Sequence, residues 1–327
     1  MNYLSKIQSV LEPLTEGYNK VALFDFPRHD NVGDLAIWLG ETYFFQKVLH
    51  KKIVAVEHCK AEVLPPLSPD TLVLLHGGGN LGDIWPEHEN FRLRVIERYP
   101  NNRIVLLPQS LHFSSREALM QSAAITTKHG DFHVCVRDAE SVPDAGTLAF
   151  PERVHLCPDM ALSLGTLPRP NPPSREFYAL RRIDKEAAGF GEFPENLESG
   201  DWIGAPVSRL ASIVGRVDRW FTRYPSRLRS LSFVRIRLYE MLAREHLNRG
   251  VAQLSSAEVI VTDRLHAHIL CSLMGIPHVV LDNSYGKIAR FRRQWNTGAG
   301  LCSPAPDWEQ AAVLAEAVLA DVRQESS

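Results

Sequence analysis

Apolar residues recur at helical spacing near the start of the chain. Ile7, Val10, Leu11 and Leu14 fall at i, i+3, i+4 and i+7 and predict an amphipathic helix over 5–14. The period then changes. KVALFDF (20–26) is a short apolar run, followed by the polar loop PRHDNVGD and a second helical stretch with Leu35, Ile37, Trp38, Leu39, Tyr43, Phe44 and Phe45. An apolar run of strand length before a loop and a helix predicts a buried parallel strand. KIVAVE (52–57), TLVLLHG (71–77), RIVLLPQ (103–109), HVCVRD (133–138) and RVHLCPD (153–159) repeat the pattern, with helical stretches near 88–99 and 115–128. This alternation predicts a doubly wound α/β domain.

Residues 163–175 (SLGTLPRPNPPSR) contain four prolines and little apolar content, the composition of a semi-rigid connector. Beyond it, EFYALRRID (176–184) predicts a strand, 185–202 a loop and 206–247 basic helix. SSAEVIVTD (255–263), RLHAHILCSLMG (264–275) and PHVVLDN (277–283) predict one βαβ unit whose helix stops at Gly then Pro. The expected division is an N-terminal domain over 1–165, a C-terminal domain over 166–306, and a last helix within 307–327 that packs back on the first domain.

Composition narrows the class. The chain has 327 residues, of which 45% are hydrophobic and 23% charged, which excludes disordered, collagen-like and coiled-coil readings. A net charge of -2 gives no global attraction to nucleic acid. Five widely spaced cysteines without a C-x-x-C pair suit reduced cytosolic thiols better than a disulfide framework or a zinc site. The N-terminal segment is too polar for a signal peptide, and no apolar run reaches the ~18 residues that span a bilayer. A soluble, cytoplasmic protein is expected, with any membrane contact peripheral.

Candidate chemistry lies at strand ends, where doubly wound sheets bind ligands. Asn31-Val32-Gly33-Asp34 follows the first strand. Gly33 allows close backbone approach. Asn31 or Asp30 is equally placed to cap the next helix, and Asp34 suits its first turn. His76-Gly77-Gly78-Gly79-Asn80-Leu81-Gly82 contains a literal G-x-G-x-x-G. The acidic residue that a dinucleotide site needs is missing, since the next strand ends in Pro108-Gln109. The HGGG stretch also fits an esterase oxyanion loop, but no G-x-S-x-G elbow accompanies it. Two readings remain: backbone N–H groups of Gly78 and Gly79 offered to an anion or substrate oxygen, or a tight turn.

Arg137-Asp138-Ala139-Glu140-Ser141 ends another strand. Its arginine is either a planar fork for a carboxylate or phosphate or half of a surface pair. Thr262-Asp263-Arg264-Leu265-His266-Ala267-His268 sits at a strand-to-helix junction. Arg264 and the first-turn N–H groups favour an anion there. His266 suits proton transfer near neutral pH, and Asp263 is near enough to pair with it. His268 points about 200° away on a helix, which makes it a packing or surface residue and argues against a metal on H-x-H. Asp282-Asn283-Ser284-Tyr285-Gly286-Lys287 follows the next strand, with Tyr285 a donor or stacking surface and Lys287 a positive charge. No DxD motif and no Walker A sequence occur.

NVGD (31–34), LLHGGGNLGD (74–83), LPQS (107–110), VCVRDAES (134–141), CPDMAL (157–162), VTDRLHAHILCSLMGIP (261–277) and DNSYGKI (282–288) together resemble the polysaccharide pyruvyl transferase family, over roughly residues 20–290. The resemblance implies two Rossmann-like domains facing across a cleft, similar to GT-B glycosyltransferases. It implies phosphoenolpyruvate as donor, a sugar of a bacterial glycan as acceptor, and a cyclic pyruvate ketal as product. Arg264, Leu265 and His266 match the donor-binding stretch, and Arg137 matches a second donor-site arginine. In this scheme His266 transfers a proton and Asp34 orients or deprotonates an acceptor hydroxyl. Asn31, Gly33, Gly78, Gly79, Asn80, Gln109, Ser141, Tyr285 and Lys287 complete the expected binding set, with no cofactor and no metal needed. Two other readings stay open: a GT-B-like glycosyltransferase using a sugar nucleotide, and a non-catalytic glycan-binding or scaffold protein. Within the unmatched region, 209–249 holds ten arginines against Asp218, Glu240 and Glu245, a charge of +7, with aromatics interleaved. This stretch either docks on anionic lipid or a lipid-linked pyrophosphate, or forms a solvated helical face with its aromatics in the core.

Overall fold

The computed structural model describes residues 2–184, 189–195, 197–204, 206–224, 231–282 and 286–325. The chain forms two compact units, one of Met1–Arg28, Asp34–Leu164 and Pro206–Arg244, the other of His29–Gly33, Gly165–Ala205 and Glu245–Ser327.

Among the described residues, the first unit holds a seven-stranded sheet. Its strands are β1 (Lys20–Phe24), β2 (Lys52–Glu57), β3 (Thr71–Leu75), β4 (Gly78–Gly82), β5 (Ile104–His112), β6 (Phe132–Val136) and β7 (Val154–Leu156). The order is β2-β1-β3-β5-β6-β7, with β4 paired to β5 and every pairing parallel. All five residues of β3 are buried, as expected of a parallel strand covered on both faces. Helices α1 (Tyr3–Leu14), α2 (Val32–Tyr43), α3 (Pro86–Arg98), α4 (Arg116–Thr126) and α5 (Val142–Leu148) belong to the same part of the chain. Strand order reverses between β1 and β3, the crevice position of such sheets.

The second unit has a parallel sheet in the order β12-β11-β10-β8-β9. Its strands are β8 (Arg175–Leu180), β9 (Ser199–Gly200), β10 (Ala257–Thr262), β11 (His278–Leu281) and β12 (Cys302–Ala305). Between and after them run α6 (Arg209–Arg223), α7 (Ser232–Ser255), α8 (Leu265–Met274), α9 (Lys287–Trp295) and α10 (Trp308–Glu325). α8 ends at Gly275 with φ +69, so the Gly-then-Pro stop is used as expected. Here the order reverses between β8 and β10.

Three expectations change. HGGGNLG is neither a free loop nor a turn: Gly78–Gly82 is a strand. α10 packs within the second unit, where Trp308, Ala311, Ala315 and Leu319 lie against Val259, Val261, Val279 and Leu281 of its sheet. Residues 206–244 belong to the first unit although they follow the proline-rich connector. What ties them there is side-chain chemistry. The Arg235 guanidinium bonds Glu57 at 2.7 Å and Asp218 at 2.9 Å, and the Tyr239 ring stacks on Phe26 at 3.8 Å.

Candidate functional site

The switch point of the first sheet is crowded with buried charge. Asp25 follows β1 with φ +73, a left-handed conformation that costs a non-glycine residue energy and persists only where surroundings impose it. Its carboxylate lies 2.8 and 3.0 Å from His88 Nδ1 and 3.5 Å from Arg92. Burial alone would raise this carboxyl, but the His88 hydrogen bond and charge, with Arg92, outweigh it and hold it below the usual range. Beside it, Glu41 accepts from Gly77 N–H at 2.8 Å and shares a 2.7 Å bond with His76 Nδ1. Burial raises the Glu41 carboxyl. For His76 burial acts downward, but the Glu41 charge outweighs it and the imidazole is raised.

The glycine-rich strand is woven into this network. Asn80 N–H donates to Gln109 Oε1 at 3.3 Å, Gln109 Nε2 donates to His76 O at 2.9 Å, and Arg92 donates to the Asn80 carbonyl at 3.0 Å. The N–H groups of Gly77 and Asn80 are therefore committed to protein acceptors. Gly78 has φ +123, and a Cβ there would lie 3.5 Å from Asp34 Oδ1. Asp34 thus sits over the glycine strand, in the first turn of α2.

Arg137 follows β6 and is buried, not part of a surface pair. It donates to Asp159 at 2.6 Å and to Ser110 Oγ at 2.8 Å. Asp138 in turn accepts from Ser141 N–H at 2.9 Å and Ser141 Oγ at 2.7 Å. The structure brings Arg137, Asp138 and Ser141 into one buried cluster, with Ser110 and Asp159 as members that were not anticipated.

In the second unit the strand ends of β8 and β10 carry the RLH segment. Arg264 Nη2 donates to Asp201 Oδ2 at 2.6 Å with Nε 2.6 Å from Oδ1, the guanidinium reaches Asp184 at 3.4 Å, and it lies 6.0 Å from the Trp202 ring. The planar fork expected to hold an external anion is engaged by these carboxylates. Asp263 accepts from the Arg182 backbone N–H at 2.8 Å, and burial raises its carboxyl. Leu265 begins α8 and is buried. Lys287 is buried at the start of α9, whose Ile288 and Ala289 N–H groups donate to Asp282 at 2.9 and 3.0 Å. Tyr285 lies outside the described residues.

Two predicted motifs meet within this unit. A Cβ built on Gly33 would lie 2.5 Å from His266 Nδ1 and 2.6 Å from Cγ. Any side chain at 33 collides with the imidazole, so this glycine serves close approach. Asn31 caps the turn, accepting from Gly33 N–H at 3.1 Å. A Cβ on Gly250 would lie 2.4 Å from Val32, so α7 also presses on this segment.

Among the described residues, His268, His278 and Cys302 gather potential metal-ligand atoms within 4.8 Å, as do Asp25, Cys59 and His88. In both groups the histidine is already hydrogen-bonded, to His278 at 2.7 Å and to Asp25 at 2.8 Å. His268 is a packing residue. A cavity of about 500 Å³ opens elsewhere, lined by Val54–Glu57, the 61–68 loop, Phe221 and Arg235, and contains no predicted site residue. Asp25, Glu41, His88, Arg92, Asp184 and Asp201 were not singled out from sequence. The one available signal was a charged residue directly ending a buried strand run, as Asp25 does after KVALF.

The family model described as polysaccharide pyruvyl transferase matches residues 31–285. EpsO of Bacillus subtilis (strain 168), whose name assigns it provisionally as a pyruvyl transferase, is 29% identical over 90% of each chain. Pyruvyl transferase 1 of Schizosaccharomyces pombe is 28% identical over 87% of this chain and 72% of its own. General stress protein 30 of Bacillus subtilis is 27% identical over 87% of this chain and 80% of its own. A crystal structure of a functionally uncharacterised Klebsiella pneumoniae protein aligns with TM-score 0.59 at 18% identity, covering 90% of this chain and 95% of that one, a likeness of fold alone.

Proposed function

The chain belongs to the polysaccharide pyruvyl transferase family and is a transferase of that kind, and from this premise we propose that it moves pyruvate from phosphoenolpyruvate to a sugar of a lipid-linked glycan precursor at the inner face of the cell membrane. The observation that carries the reading is the meeting of Gly33 and His266, two motifs of the matched region far apart in sequence, at the start of a buried helix. Phosphoenolpyruvate brings a carboxylate and a phosphate. Arg264 and the N–H groups opening α8 are the receptors we assign to them. Binding then requires the anion to take over part of the Arg264 fork from Asp201 and Asp184.

The chemistry needs little else. A proton from His266 adds to C3 of the enol phosphate, leaving cationic character at C2. An acceptor hydroxyl, oriented by Asp34, attacks C2 and gives up its proton. The C2–O bond to phosphate breaks and inorganic phosphate leaves. A second hydroxyl closes the ketal. Of the two hydroxyl protons, one balances that placed on C3 and the other goes to phosphate. Positioned acid–base groups typically supply about 10²–10⁴-fold. We assign donor binding to Arg264 and the start of α8, and acceptor binding to Asp34, Asn80 and Gln109.

Calorimetric titration of phosphoenolpyruvate into wild type and Arg264→Ala tests the donor assignment. Binding to wild type, weakened at least tenfold in the variant, is expected, with no heat from UDP-glucose or NAD. Binding of UDP-glucose in place of phosphoenolpyruvate would sink it.

A further inference from the structure

Three of the aromatics interleaved in the basic region, Trp220, Tyr224 and Phe233, are exposed and not in the core. In α6, Arg209, Ile213, Arg216, Trp220 and Arg223 fall at i, i+4, i+7, i+11 and i+14 and all are exposed. In the first half of α7, Phe233, Arg237, Met241 and Arg244 repeat the pattern at i, i+4, i+8 and i+11, again exposed. Trp220 is 67% and Phe233 60% accessible, far more than aromatics that pack a core. The inward faces are separate: Val214, Asp218, Arg235 and Tyr239 are buried, while Phe221 and Ser232 line the cavity beneath.

The acids have been withdrawn from this surface. Between 206 and 244 the chain has only Asp218 and Glu240 as acidic residues, and both are buried. Asp218 bonds Arg235 at 2.9 Å and the Tyr239 hydroxyl at 2.8 Å; Glu240 bonds Gln46 at 3.1 Å and Arg237 at 3.1 Å. Among the described residues, what faces solvent here is cationic and aromatic, with six exposed arginines at 209, 216, 219, 223, 237 and 244. A solvated face would carry mixed charge and few large rings. Arginine stems that snorkel beside interfacial Trp and Phe are instead the chemistry of a bilayer surface.

We propose that the exposed face of α6 and the first half of α7 docks on an anionic lipid bilayer, with arginines on the headgroups and Trp220 and Phe233 at the acyl boundary. This deepens the reading of a lipid-linked acceptor and rests on it for its purpose, though not for its chemistry. The attraction to anionic headgroups is local and falls off within a Debye length, so docking is salt-sensitive.

The test is co-flotation of the full chain with vesicles of phosphatidylcholine alone and with phosphatidylglycerol added. Flotation with the anionic vesicles at low salt is expected, with loss at high salt. Trp220→Ser/Phe233→Ser and Arg216→Gln/Arg219→Gln/Arg223→Gln are each expected to weaken partition about tenfold or more, while the phosphoenolpyruvate titration stays unchanged. Vesicles should also blue-shift a fluorescence component that Trp220→Phe removes. No flotation at low salt, equal flotation with neutral vesicles, or partition unaltered in both variants overturns the proposal. Retention by heparin without flotation also overturns it, in favour of an acidic macromolecule. Failed flotation with intact phosphoenolpyruvate binding removes the docking surface alone; intact flotation without that binding removes the donor reading alone.

Discussion

A methyl group at position 33 would lie 2.5 Å from Nδ1 of His266, closer than real carbon contacts allow, so one of the two must move. A displacement of about 1 Å in a reacting group costs on the order of 10²-fold in rate. Gly33→Ala is therefore expected to lower kcat/KM for pyruvyl transfer by about that factor while circular dichroism stays native. Activity within twofold of wild type would mean that His266 need not be held where it is. Both residues stand out in sequence, as a loop glycine and a helix-start histidine, but their contact does not, since no local pattern links positions 33 and 266. Arg264 was equally legible as a strand-end cation. Its carboxylate partners Asp184 and Asp201 flank a polar stretch without periodicity, where nothing marks one aspartate above another.

Between elements, the packing of α8 on β11 runs through two buried imidazoles. His278 Nδ1 donates to the Ile276 carbonyl at 2.7 Å, so its Nε2 is left to accept from His268 Nδ1–H at 2.7 Å. His268 Nε2 then accepts from the Thr297 hydroxyl at 2.7 Å. Every nitrogen is satisfied only while both rings are neutral. Burial pushes His278 down to about 4 from the ordinary 6.5 and pushes His268 well below its usual value. The unfolded chain therefore takes up these protons first as pH falls, and the stability present above about 6.5 drains away down to about 4. For His278 alone the loss is about 3 kcal/mol. Urea unfolding of wild type and His278→Gln across this window is expected to show a shallower pH slope in the variant; equal slopes would rule out this pair as the source. The helix and the strand were both legible from their apolar periods, whereas the bond between them was not, because an H-x-H spacing says nothing about a partner on the next strand.

Over the whole molecule, charge is ordinary in sum and uneven in place. A net charge of -2 coexists with +7 over residues 209–249. Fields of this kind act locally, within a Debye length of about 8–10 Å at physiological salt. Wild type is accordingly expected to be retained on a sulfonate resin near neutral pH at low salt, against the sign of its net charge. Arg216→Glu/Arg219→Glu/Arg223→Glu is expected to flow through. Flow-through of the wild type would show that the exposed arginines do not act as one patch. No described helix is long and apolar enough to cross a membrane, so the surface reading does not compete with a spanning one.

Strand and helix identity came from the chain itself, because burial on both faces or on one stripe leaves a period that local sequence must carry. KVALF, TLVLL and AEVIVT announce β1, β3 and β10 in this way. The candidate residues at their ends were legible for the same reason, since a polar residue after an apolar run has left the sheet. Tertiary structure decided the rest. It turned HGGGNLG into a strand by pairing it with β5 and sent 206–244 to the first unit through Arg235 and Tyr239. It also withdrew Asp218 and Glu240 from a face that keeps its arginines exposed. Each of these outcomes depends on partners far away in the chain, and the cost or gain of burying a charge exists only once that partner is in place.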